Sequence, residues 1–202
     1  LAVAQPAVSE RRENHLSGYS NRERRRRGIR HPQSVSPVLV NDKNSSLYHI
    51  DFSFDEQRLG GSAFAQSLGF VGDDVPTVKN PEYFADCFNA VQEMIEKGWI
   101  MAGHDISAGG LITTLLEMCF ANTEGGMHIN LHSLAGNDII KMLLAENPGV
   151  VIQVSDKYKE EFKEYMEENG IGYAKIGYPT PAERTIVIKK DDYTHTFDID
   201  AL

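Results

Sequence analysis

Residues 103–111 read Gly-His-Asp-Ile-Ser-Ala-Gly-Gly-Leu, and they gather the groups that phosphate and metal chemistry needs. The apolar run Ile100–His104 predicts a short buried strand that ends at His104 and Asp105. Ser107 to Leu111 then opens the next helix, predicted over Ser107–Asn122. A helix N-terminus offers unpaired backbone N–H groups and a partial positive charge, both suited to phosphate. Gly109 and Gly110 let a ligand approach the backbone closely. Asp105 supplies a hard oxygen ligand for magnesium, and Ser107 either caps the helix or donates its hydroxyl to a phosphate. The same residues also suit ordinary turn and capping chemistry, and His104 alone suits a satisfied structural histidine.

The elements that must position these groups alternate along the chain. Ser46–Phe54 reads as a strand, with Leu47, His49 and Asp51 opposed to Tyr48, Ile50 and Phe52. Gly60-Gly61-Ser62 opens a short helix, Ala63–Leu68; its amides suit either a phosphate contact or tight packing on the sheet. Asn80-Pro81 is a helix start, Asn as N-cap and Pro where its missing N–H costs nothing. That helix is predicted to run to about Lys97 with Phe84, Phe88, Val91 and Ile95 on its buried stripe. Strands are predicted at Gly126–Leu131, Val150–Val154, Ala174–Gly177, Thr185–Lys189 and Thr194–Ile199, and helices at Asn137–Ala145 and Lys157–Asn169, the latter stopped by Gly170. Val150–Val154, with little polar interruption, is expected to be central. The fold class is therefore α+β, with mixed α/β layers in which helices pack a mixed sheet.

Residues 1–33 lack apolar periodicity and are expected to form a basic, flexible arm, leaving 34–202 as the domain. Residues 1–30 hold eight arginines against three glutamates, +5, so the remainder of a chain of net charge −9 sums to −14. An acidic body argues against a broad nucleic-acid surface, although the arginine-rich arm alone defines an alternative reading as a nucleic-acid-binding module. No stretch approaches the roughly 20 apolar residues of a membrane span, and no signal peptide is read at the N-terminus. The first residue is Leu1, so the chain reads as a fragment or a processed piece. Cys87 and Cys119 each fall inside an apolar pattern and are expected as buried thiols in a reducing cytosol, without zinc spacing.

The run His104-Asp105-Ile106-Ser107-x-Gly109-Gly110-Leu111, followed by Leu115, Glu117, Met118, Phe120 and Ala121, resembles the C-terminal domain of the second synthetase half of the formylglycinamide ribonucleotide amidotransferases (phosphoribosylformylglycinamidine synthases). Ile29–Pro37, Leu59–Gln66 and Glu146–Val154 match in the same order, so the resemblance covers residues 29–202. The wider superfamily includes aminoimidazole ribonucleotide synthetase, selenophosphate synthetase and thiamine-phosphate kinase; a related kinase or synthetase is a third reading. The resemblance implies an aminoimidazole ribonucleotide synthetase C-terminal-like fold within an ATP-dependent C–N ligase of purine biosynthesis. There ATP phosphorylates the amide oxygen of formylglycinamide ribonucleotide, and ammonia from glutamine displaces the phosphate. It implies Asp105 as a Mg2+ ligand and Ser107 as a contact to ATP; Gly109 and Gly110, which allow close backbone approach, complete the candidate cofactor contacts. It implies partner domains too, an N-terminal synthetase domain and a glutaminase domain, together with a small-molecule nucleotide substrate and a cytoplasmic setting.

Two features depart from the family. Ala108 stands where the family frequently has Asp, which leaves one carboxylate in the turn, and residues 1–28 match nothing upstream of the domain. Neither cysteine sits in the strand-to-helix elbow a glutaminase nucleophile needs, so no glutaminase chemistry is expected and no catalytic residue is assigned. The resemblance places most nucleotide and substrate contacts in the partner N-terminal synthetase domain, so the chain is expected to be inactive alone.

Overall fold

A computed structural model describes residues 34–202. Seven strands form one sheet: β1 (Ser45–Asp51), β2 (Ile100–Asp105), β3 (Gly126–Asn130), β4 (Gly149–Ser155), β5 (Ala174–Thr180), β6 (Thr185–Lys190) and β7 (Tyr193–Asp198), in the order β2-β4-β1-β5-β3-β6-β7. Every neighbouring pair is antiparallel except β3 and β6, so the sheet is mixed, as expected. Five helices join it: α1 (Ala63–Ser67), α2 (Pro81–Glu96), α3 (Gly110–Phe120), α4 (Ile139–Leu144) and α5 (Lys159–Glu168). The basic arm predicted for 1–33 lies outside the described residues.

Alternation along β1 separates two cores. Leu47 joins Leu111, Leu115 and Met118 of α3 and Met142 of α4 on one face. Tyr48 and Ile50 point the other way, to Cys87 and Met94 of α2 and Phe162 and Met166 of α5. β4 lies between β2 and β1 and is buried on both faces, which explains its apolar sequence. Its one buried amide, Gln153, is fully used: Oε1 accepts from the Val40 N–H at 2.9 Å, and Nε2 donates to the Val40 carbonyl and the Ser45 hydroxyl.

Local signals account for most boundaries. Asn80 accepts from the Glu82 and Tyr83 N–H groups as the N-cap of α2, and Gly170 takes φ +64° just beyond α5. Three expectations are corrected. β1 stops at Asp51, not Phe54, because the Asp51 carboxylate accepts from the Ser53 N–H and hydroxyl and turns the chain. The buried stripe of α2 is Cys87, Ala90, Val91 and Met94, whereas Phe88 is 51% exposed: the aromatic spacing marked the border of the apolar face rather than its centre. Helix α3 begins at Gly110, three residues later than expected, with Gly109 in the left-handed conformation as its N-cap. Ser107 therefore lies in the turn and does not cap the helix.

Candidate functional site

The turn from Asp105 to Gly110 is anchored from both sides. The Ile106 N–H donates to the Gly149 carbonyl at 2.8 Å, and the buried Thr114 hydroxyl of α3 donates to the Asp105 carbonyl at 3.1 Å. Asp105 itself is exposed, its side chain 75% accessible, at the end of an edge strand. His104 is held by its neighbours: Nδ1 lies 2.8 Å from the Asp105 carbonyl, and Nε2 lies 3.3 Å from the Glu117 carboxylate. This is a satisfied histidine that orients the strand end. Ser107 and Ala108 are exposed beside Asp105. No described group accepts from their amides or from the Ser107 hydroxyl.

The two glycines have other duties. The Gly110 N–H donates to the Ser107 carbonyl at 3.0 Å. Gly110 is buried at φ +72°, and a Cβ there would meet the backbone of Leu143, Leu144 and Ala145 at 2.8 Å. It lets α3 pack on the end of α4. The Gly109 N–H is taken at 2.8 Å by the Glu146 carboxylate, and the same Oε1 accepts from the Ala63 N–H at the start of α1, also at 2.8 Å. The Gly60, Gly61 and Ser62 amides donate to Asp74, Val71 and Leu59, so that turn is packed rather than open to a ligand. Glu146 had no role assigned from sequence; its place beside Asn147-Pro148-Gly149, leading into β4, was the available signal.

A second feature was missed. A groove of about 680 Å³ opens past the end of β1, with His49 and Asp51 at its floor and Lys79, Tyr83, Lys141 and Tyr173 around it. That volume suits a small metabolite. His49 and Asp51 share the β1 face that holds Leu47, so two polar groups occupy inward positions of a strand covered on both sides. That inward polarity was readable as alternation, but only the tertiary structure showed the space in front of it. Burial lowers the His49 imidazole below its ordinary value, with the Asp51 carboxylate opposing. Burial raises Tyr83 to about 12, which keeps it a neutral phenol; its oxygen accepts from the Gly172 N–H at 3.0 Å.

One wall of the groove is a loop organised by Asp55. Its carboxylate is held down to about 2, first by the Thr77 hydroxyl, then by the Glu56 N–H, with Arg58 and Lys79 adding charge. Asn147 closes the same region, donating to the Ser53 hydroxyl and the Glu56 carbonyl. Asp105 lies apart from this groove, on a smaller cavity of about 260 Å³ beside Gly103 and His104. Among the described residues no group of three His, Cys, Asp or Glu side chains is placed to hold a metal. Asp105 is the one carboxylate of the 105–110 turn, and it faces solvent.

The family described as AIR synthase related protein, C-terminal domain, matches residues 50–190. The chain belongs to that family. Within it, the chain is homologous to the phosphoribosylformylglycinamidine synthases. It is 36% identical over 166 residues to a "Probable phosphoribosylformylglycinamidine synthase, chloroplastic/mitochondrial" of Arabidopsis thaliana, covering 81% of this chain and 11% of that protein. It is 40% identical over 128 residues to the phosphoribosylformylglycinamidine synthase of Schizosaccharomyces pombe, covering 63% of this chain and 10% of that protein. The chain spans about a tenth of the length of these relatives. Among solved structures, Thermotoga maritima PurL complexed with FGAR matches with a TM-score of 0.69 at 14% identity, over 84% of this chain and 29% of that one. The same protein complexed with ATP matches at 0.63 and 14%, over 85% and 27%. Escherichia coli HypE, a hydrogenase maturation protein, matches at 0.53 and 14%, over 82% and 52%. These likenesses establish the AIR synthase C-terminal fold.

Proposed function

We propose that this AIR synthase C-terminal domain is part of an ATP-dependent C–N ligase that converts formylglycinamide ribonucleotide, glutamine and ATP to formylglycinamidine ribonucleotide, and that it forms one wall of the Mg-ATP site. The observation that carries the reading is the turn after β2. There the exposed Asp105 carboxylate stands next to the Ser107 hydroxyl and to the Ser107 and Ala108 amides, which have no described acceptor. Asp105 holds magnesium and Ser107 contacts ATP phosphate; Gly109 allows the turn, and Gly110 serves by packing. Magnesium, when bound, offsets the charge of the triphosphate and of the transferring phosphoryl group.

The rest of the site belongs to partner domains, an N-terminal synthetase domain and a glutaminase domain, which fits a chain about a tenth as long as its relatives. No helix among the described residues is long and apolar enough to cross a membrane. Two buried free thiols suit a reducing compartment such as the cytoplasm; the Arabidopsis relative carries an organellar name. The test is Asp105→Asn in the complete ligase. Losing the metal's carboxylate should lower ATP-dependent amidine formation by about 100-fold or more. Near-normal turnover would remove Asp105 from the metal site.

A further inference from the structure

The strongest single arrangement near the proposed site is one that the nucleotide reading does not use. One carboxylate oxygen of Glu146 accepts from two backbone N–H groups, those of Gly109 and Ala63, each at 2.8 Å. The two donors start different helices, α3 and α1, and are 46 residues apart in the chain. Among the described residues nothing else joins the two turns as directly. The Gly60-Gly61-Ser62 turn spends its own amides on Asp74, Val71 and Leu59, and the Gly110 N–H is spent on Ser107.

We propose that Glu146 is the positioning residue of this site: an internal anion that fastens the start of α1 to the turn before α3 and so fixes which amides face a ligand. The inference rests on the nucleotide reading of the Asp105–Gly110 turn and deepens it. An anion seeks the unpaired N–H groups at a helix start. Here the Gly109 N–H is already satisfied by a charge-assisted bond, the kind about twice as strong as a neutral one. A phosphate arriving at the turn is therefore directed one step earlier along the chain, to the Ser107 and Ala108 amides next to Asp105. Ser107 and Ala108 are exposed, and Gly109 after them takes the left-handed conformation at φ +89°. Without Glu146 the Gly109 donor would compete for the same anion, and the α1 turn would be released from the site.

Two measurements test this. In the 202-residue chain, amide hydrogen exchange should be about 100-fold slower at Gly109 and Ala63 than at Ser107 and Ala108. Equal exchange at the four amides overturns the clamp without any variant having to fold. In the complete ligase, Glu146→Ala should raise the KM for MgATP about tenfold while kcat at saturating nucleotide stays within about threefold. Glu146→Gln keeps an oxygen that can accept both N–H groups but loses the charge, and should recover part of the KM loss. An unchanged KM in E146A, or a Gln variant as impaired as the Ala variant, sinks the positioning role. Asp105→Asn separates the two ideas. A silent Asp105 variant beside an impaired E146A removes the metal ligand and keeps the clamp; the reverse removes the clamp alone.

Discussion

His49 shows how burial sets chemistry at the scale of a single side chain. It sits at the groove floor, where desolvation pushes its imidazole below the ordinary value of 6.5 and the facing Asp51 carboxylate opposes that push only in part. Burial thus favours the neutral imidazole. The consequence for stability has a definite sign. The unfolded chain takes up the proton near 6.5 while the folded chain resists, so the unfolded state binds more protons as pH falls. Stability contributed by the neutral form is present above about 6.5 and is lost as pH drops toward the folded value. Urea unfolding midpoints between pH 5 and 7 should fall with pH in the wild type and fall less steeply in His49→Gln; parallel slopes would remove His49 as the cause. The cysteines give the opposite case. Burial raises both thiols to about 11, so neither forms the thiolate a glutaminase nucleophile needs.

Helix starts decide the site at the scale of elements. Asn80-Pro81 was legible because the cap is local: the side chain reaches amides two and three residues ahead. The start of α3 was not, because Gly110 owes its place to a contact 33 residues away. A Cβ at Gly110 would press on three backbone atoms at the end of α4 and force a side chain into φ +72°. Backbone cannot yield as a flexible side chain does. Gly110→Ala should therefore destabilise the domain by about 2–3 kcal/mol, read as a lower urea midpoint at unchanged slope. A loss under half a unit on that scale would mean that α4 gives way. The α2 stripe was misplaced for a related reason: large aromatics flank a helix–sheet contact, while small Cys87 and Ala90 allow the close approach.

Whole-molecule arguments concern what the domain can do without its neighbours. Its two glycine turns and its groove all lie near the ends of β1, β2 and β4, but among the described residues no closed metal cage completes them. The expected outcome is that the chain alone forms no amidine from formylglycinamide ribonucleotide and ATP, even with ammonium replacing glutamine so that no glutaminase is required. Turnover by the isolated chain, measured as amidine formation, would show that the site is complete within it.

The sequence by itself determined the alternation of elements, the mixed α+β layering, the strand end at His104-Asp105 and the family, because caps, periodicity and short motifs are local properties of the chain. Tertiary structure alone decided that Gly110 serves packing, that the Gly60–Ser62 amides are spent, that Glu146 ties two helix starts together, and that His49 and Asp51 face a groove. Apart from the local Ser62–Leu59 bond, these depend on groups apart in sequence meeting within about 3–4 Å, and no local pattern encodes which partner will be there.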